Sequence, residues 1–219
     1  MKKILLAAMF AGLALSAHSQ NILKNSNFDS PMDTQTYGNH PEIEGWFIFD
    51  GTKGATTMAC TTLENDPHGN VLEIKTTSDN AWYRSYLGQR IVNPEKGAYV
   101  LSFDAKVDEG SANVRCFIRD ASDRNWFALR NNFDVKKNST NSPASCNIAV
   151  KSGWKTYKFE FDLSKVVNYF NSVKAAEDNG FTIEVNPISD ETLNDLLVAI
   201  QLTDKDAKVL IDNVTLVKK

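Results

Sequence analysis

Two sets of side chains in this chain have types and spacing that could do chemistry. The first is a pair of acids, Asp29 near the start and Asp212 near the end. Each sits in a short segment that mixes apolar and polar residues as a strand does: Asn21 to Asp29 and Val209 to Val217. Two terminal strands with one carboxylate each point to a sandwich whose ends meet around a metal ion. The second set is Trp82, Arg84, Tyr86, Arg115, Phe117, Arg119, Trp126 and Arg130. Aromatic faces accept the apolar C–H patches of a pyranose ring, and forked guanidinium donors bind its hydroxyls. Several Arg residues also favour carboxylate or sulfate groups through bidentate pairing.

Strand phase decides whether that second set can act together. Tyr99 to Val107 alternates, with odd positions apolar and even ones mostly polar, as a half-buried antiparallel strand requires. Leu87, Gln89 and Ile91 share one face of another strand. If these odd residues point into the core, Trp82, Arg84 and Tyr86 point outward. The same logic turns Arg115, Phe117 and Arg119 outward against Val114, Cys116 and Ile118, and Trp126 and Arg130 outward against Phe127 and Leu129. A slip of one residue reverses every side chain. The aromatics would then be ordinary core, or the face would be covered by the segment 164–196.

Further strands are predicted at Val71–Lys75, Trp154–Asp162 and the apolar run Leu197–Leu202. Many short strands separated by turn residues indicate an all-β sandwich or barrel. Two stretches break the rhythm. Residues 131–145 are rich in Asn, Ser, Lys and Pro and read as a long loop. Residues 164–196 read as a short helical insertion, with Ser164 capping a helix through Val166, Val167, Phe170 and Val173, and Asp190 capping a turn through Leu193, Leu196 and Leu197. Trp46 and Trp154 are assigned to packing at the sandwich edge.

Residues 1–19 carry Lys2 and Lys3, an apolar run from Ile4 to Leu15, and the small-x-small site Ala17-His18-Ser19, the pattern of a bacterial signal peptide. The run is shorter than the ~20 residues a spanning helix needs. The expectation is an exported protein, periplasmic or extracellular, with residues 20–219 forming one β-sandwich domain. Without Lys2 and Lys3, the 24 Lys and Arg are outnumbered further by the 27 Asp and Glu. That acidity speaks against nucleic acid as a partner. Of three cysteines, Cys116 and Cys146 make the most plausible bridge, with three buried thiols as the alternative. His40 and His68 lie in predicted loops, and no nucleophile elbow, phosphate loop or zinc-protease motif occurs. The chain therefore reads as non-catalytic.

Five segments, in order, carry a resemblance. Asn25-Ser26-Asn27-Phe28-Asp29, Gly45-Trp46, Gln89-Arg90-Ile91 followed by Gly97-Ala98-Tyr99-Val100-Leu101-Ser102-Phe103, Trp154-Lys155-Thr156-Tyr157 and Ile211-Asp212-Asn213-Val214-Thr215-Leu216 are together similar to the galactose-binding-like carbohydrate-binding modules of the family four, nine and twenty-two type. The resemblance implies a jelly-roll β-sandwich with a structural calcium ion held by Asp29 and Asp212. Carbonyls of the turn Asp66-Pro67-His68-Gly69-Asn70 could supplement those acids, since calcium takes six to eight oxygen ligands. It also implies a glycan partner, with a surface or periplasmic enzyme complex as the natural setting. The reading from another class is a structural or protein-interaction sandwich of a cell-surface assembly.

Overall fold

The computed structural model describes residues 20–30, 33–35, 45–52, 54–80, 85–120, 129–131, 133–134, 139–140, 145–168 and 195–219. Side chains are described for all of these except 33–35, 120, 129–131, 133–134, 139–140, 167–168 and 195.

The clearest alternation in the sequence becomes the centre of one sheet. Strand β6 (Ala98–Lys106) buries Tyr99, Leu101, Phe103 and Ala105 and turns its even residues outward. It lies between β12 (Lys155–Asp162) and β15 (Lys208–Lys218), and β4 (Asn70–Thr76) and β3 (Thr56–Thr62) complete a five-stranded sheet in the order β12-β6-β15-β4-β3. Every pairing in it is antiparallel. The facing six-stranded sheet runs β1 (Asp33–Gln35), β2 (Trp46–Asp50), β5 (Ser85–Val92), β14 (Asp195–Leu202), β7 (Ser111–Asp120) and β11 (Ser145–Lys151). Only its β1–β2 edge is parallel. The core between the sheets takes Leu72, Ile74, Leu101, Phe103, Val209 and Ile211 from one side, and Leu87, Ile91, Val114, Cys116, Val198 and Ile200 from the other. The fold is an all-β sandwich.

The two end segments meet as expected, but only the second is a strand: residues 21–29 run as turns and bends against it. The Ile22 amide donates to the Leu216 carbonyl (2.9 Å), and the Val214 amide donates to Ser26 (2.8 Å). Beside these bonds β15 carries a bulge, its pairing with β6 shifting between Asp212 and Thr215. Asn213 occupies the left-handed region there (φ 51°), which an Asn tolerates better than a branched residue.

The helical expectation for 164–196 is corrected where residues are described. Val166–Asn168 is a strand, β13, antiparallel to β8 (Leu129–Asn131). Leu196 and Leu197 belong to β14, not to a helical turn. Adjacent β-branched residues at Val166 and Val167 suit a pleated strand better than a helix. Phe170, Val173, Asp190 and Leu193 lie outside the described residues. The expected loop 131–145 also contains paired backbone, with β9 (Phe133–Asp134) against β10 (Ser139–Thr140). Trp46 is deep core, only 2% exposed, whereas Trp154 sits in a polar cluster.

Candidate functional site

The outer face of the six-stranded sheet follows from the register. Tyr86 opposes Phe49, and Gly88 opposes both Phe47 and Ala199. Ala199 in turn opposes Phe117, Leu197 opposes Arg119, and Gln201 opposes Arg115. Leu87, Ile91, Cys116 and Ile118 join the core between the sheets, while Tyr86, Phe117, Phe47, Phe49, Leu197 and Ala199 form a separate apolar cluster on the other side. The predicted phase is therefore the observed one for these strands.

Four of the eight expected ligand-binding side chains can be placed. Tyr86 packs parallel to Phe49 (centroids 4.8 Å apart) and edge-on to Phe117 (5.5 Å). The Arg119 guanidinium lies over both Tyr86 (5.5 Å) and Phe117 (5.4 Å), and Arg115 lies 5.7 Å from the Phe117 centroid. Tyr86 and Phe117 are themselves buried, 4% and 6% exposed. Both arginines are half-buried. Burial pushes the Tyr86 phenol up, and the adjacent Arg119 charge partly offsets it. Arg130 lies on β8, but its side chain, like Trp82, Arg84 and Trp126 entirely, is outside the described residues.

Gly88 explains how this cluster closes. A Cβ at position 88 would stand 2.9 Å from Leu197 Cδ1, 2.9 Å from Phe47 Cζ and 3.2 Å from Tyr86 Cε2. The missing side chain lets three neighbours fold over the strand. Phe47, Phe49 and Leu197 were not among the expected site residues. The Phe47/Phe49 spacing of two is the signal that could have found the first pair.

The acids form a second constellation, on the outer face of the five-stranded sheet. Asp212 opposes Asp104 directly across β15 and β6. Like charges directly opposite are unfavourable, so this arrangement calls for cationic or donor groups. Asp104 receives Thr156 Oγ1 (2.6 Å) and Asn213 Nδ2 (3.0 Å), with His68 Nε2 at 3.5 Å. Burial works against its charge, yet those donors hold its carboxyl below the ordinary value. Asp212 is 2% exposed, and its Oδ1 is buried with no hydrogen-bond partner. Burial raises its carboxyl, outweighing the Asn213 amide and the His68 charge, and Asp104 and Asp29 push it further. Asp29 accepts from Asn70 Nδ2 (3.0 Å), which draws the 66–70 turn against it, and from Asn27.

An orphaned, buried carboxylate oxygen with further acids nearby fits the oxygen chemistry of calcium. Among the described residues no group of three or more His, Cys, Asp or Glu is placed to hold a metal. Beside these acids, Asp66 holds a further cluster the sequence did not reveal. Its carboxylate receives His68 Nδ1 (2.9 Å), Lys106 Nζ (2.9 Å) and the Trp154 indole (2.9 Å).

A protein from Bacteroides thetaiotaomicron VPI-5482, described as a "putative sugar binding protein", superposes with a TM-score of 0.72 at 30% identity, over 91% of this chain and 100% of that one. A CBM4 structure superposes with a TM-score of 0.53 at 13% identity, over 90% of this chain and 99% of the other, a likeness of fold. The fold is thus that of the galactose-binding-like carbohydrate-binding modules, as the ordered sequence segments imply. No curated protein matches the sequence. Residues 21–216 match the family model described as "Domain of unknown function (DUF4627)", and the chain belongs to that family.

Proposed function

We propose that this protein is a non-catalytic carbohydrate-binding protein, exported to the periplasm or cell exterior, built as a jelly-roll sandwich. The observation that carries the reading is the placement of Arg115 and Arg119 beside Tyr86 and Phe117 on the outer face of one sheet. Support comes from the similar Bacteroides protein described as sugar-binding. In this reading the buried rings of Tyr86 and Phe117 hold the guanidiniums in place. Arg115 and Arg119 donate to the glycan together with Arg84 and Arg130, and Trp82 and Trp126 stack on the sugar rings. The chemistry favours an acidic oligosaccharide or polysaccharide, because two guanidiniums, Arg115 and Arg119, lie beside the same Phe117 ring. A surface or periplasmic enzyme complex is its natural setting.

Calcium would be held by Asp29 and Asp212, joined by backbone oxygens, and would pin the first segment to the last strand. Its part is structural: it neutralises the Asp104/Asp212 pair.

A glycan array with neutral and acidic oligosaccharides, run with calcium and with chelator, tests both proposals. Expected is binding concentrated among uronate- or sulfate-bearing glycans. Folded protein that binds nothing on a broad array overturns the glycan reading. One observation favours the second reading, a structural or protein-interaction sandwich. Tyr86 and Phe117 are too buried to offer a ring face to a sugar. On that reading the array stays blank, while the Arg115/Arg119 surface binds protein.

A further inference from the structure

All three cysteines are free thiols, but two of them are not independent. Cys146 on β11 is the direct cross-strand partner of Cys116 on β7. Directly opposed residues of an antiparallel pair point to the same side of the sheet. Here that side is the core: Cys116 is wholly buried, and Cys146 packs against the same cluster beside Ile148. Opposed Cα atoms in such a ladder lie about 4.5–5.5 Å apart. A disulfide spans roughly 4.4–6.8 Å between Cα atoms, so the backbone already has the required approach.

The position of β11 gives the pair a purpose. Among the described residues it is the edge strand of the six-stranded sheet, paired in that sheet with β7. Its outward residues Asn147, Ala149 and Lys151 are exposed. A covalent link at Cys146 would fasten this edge to the interior and close a ring of about 30 residues, removing freedom chiefly from the unfolded chain. The third thiol has no such partner. Cys60 lies on β3 in the other sheet, exposed, opposite Leu72.

We propose that Cys116 and Cys146 are an oxidisable cross-strand pair, closed by thiol–disulfide exchange with a disulfide-bearing donor. Cys146 is the entry point because it is partly accessible, whereas Cys116 is enclosed, and burial and its neighbour raise the Cys116 thiol. The Cys146 thiolate attacks one sulfur of the donor disulfide and expels a donor thiolate. Cys116 loses its proton and attacks the Cys146 sulfur of that mixed disulfide, expelling the second donor thiolate. The two protons and two electrons leave with the donor, which ends as two thiols.

The test is incubation of the reduced, folded full chain with oxidised glutathione, followed by denaturation, alkylation and peptide mass mapping. Expected is a chain two hydrogens lighter, with a Cys116–Cys146 cross-linked peptide and one alkylated residue, Cys60. Cys60→Ser should form the same bridge, and Cys146→Ser should form none. The oxidised protein should melt about 5–10 °C above the reduced one. Three alkylated cysteines after oxidation, a stable glutathione adduct on Cys146, or a bridge that includes Cys60 would each overturn the proposal. So would a Cys116–Cys146 bridge that forms only in denaturant, because the native register would then have no part in it.

Discussion

His68 lies flat against Trp154, ring centroids 3.8 Å apart and planes 19° from parallel. The two rings meet over one carboxylate, Asp66, which takes a hydrogen bond from each, and Lys106 stands 4.7 Å from the Trp154 centroid. A loop acid, a loop imidazole and an indole at the head of β12 thus lock the 66–70 turn onto the five-stranded sheet. The same imidazole faces Asp104 with its other nitrogen.

Acid sensitivity follows from Asp66. The Trp154 indole first, then the His68 amide and Lys106, hold its carboxyl well below the ordinary value. A carboxyl depressed in the folded state contributes stability above its unfolded value, near 3.8. That contribution is lost as pH falls toward the lower folded value, because the unfolded chain takes the proton first. Asp66→Asn should therefore lower the melting temperature by a few degrees at pH 7 and by somewhat less at pH 3, the difference widening as the pH falls further. Thermal melts of both proteins at the two pH values check this; an equal loss at both would show that charge has no part in it.

Asp212 runs in the opposite sense. Its carboxyl is raised by burial, so in the absence of cation its contribution falls as pH rises from the unfolded value through the folded one. In chelator at pH 7, Asp212→Asn should match or exceed the parent in stability. With calcium at about 100 times its dissociation constant, the parent should gain roughly 2.7 kcal/mol and the variant nothing. Urea titrations with calcium and with EDTA measure both. A parent midpoint that ignores calcium would remove the ion from this site.

For the proposed glycan face, Arg115→Ala should weaken binding of an acidic oligosaccharide about 10-fold or more, the loss of one charge-assisted hydrogen bond of roughly 1.5–3 kcal/mol. Arg115→Lys keeps the charge but not the fork, and should recover only part of the affinity. Calorimetry on the glycan selected by the array gives the numbers. Unchanged affinity in both variants would move the ligand elsewhere.

Gly88→Ala tests the packing of the outer cluster. The added methyl meets Leu197 and Phe47 at 2.9 Å. Both neighbours are buried, so the side chains must shift within a packed layer, at a cost of about 1–2 kcal/mol. A lowered denaturant midpoint with an unchanged slope is the expected result.

Much of the sandwich was legible because its strands have one buried face. Tyr99 to Ala105 alternates in sequence and alternates in burial. Strand β14 was harder, since Leu196 faces the core and Leu197 the outer cluster. A strand covered on both sides has no period of two to read, and Leu196 and Leu197 were drawn into an expected helical turn. Val166 to Asn168 misled for a related reason: three residues are too few to distinguish a helical stripe from a strand. The phase of Tyr86, Arg115, Phe117 and Arg119 could be read from their neighbours. Their burial could not, because period reports which side a residue faces and not what lies above it. Asp66 and His68 meet within one turn, but Lys106 and Trp154 reach Asp66 through tertiary contact alone, so local pattern carried no trace of those two.

The bonds from Ile22 to Leu216 and from Val214 to Ser26 also set a schedule. A ribosome adds about 5–20 residues per second, so the opening segment waits roughly 10–40 s before its partner strand has been made. Until then β6 lacks the neighbour that separates it from β4, and the five-stranded sheet cannot assemble. Whatever pairs earlier, the five-stranded sheet closes only when β15 slots between β6 and β4.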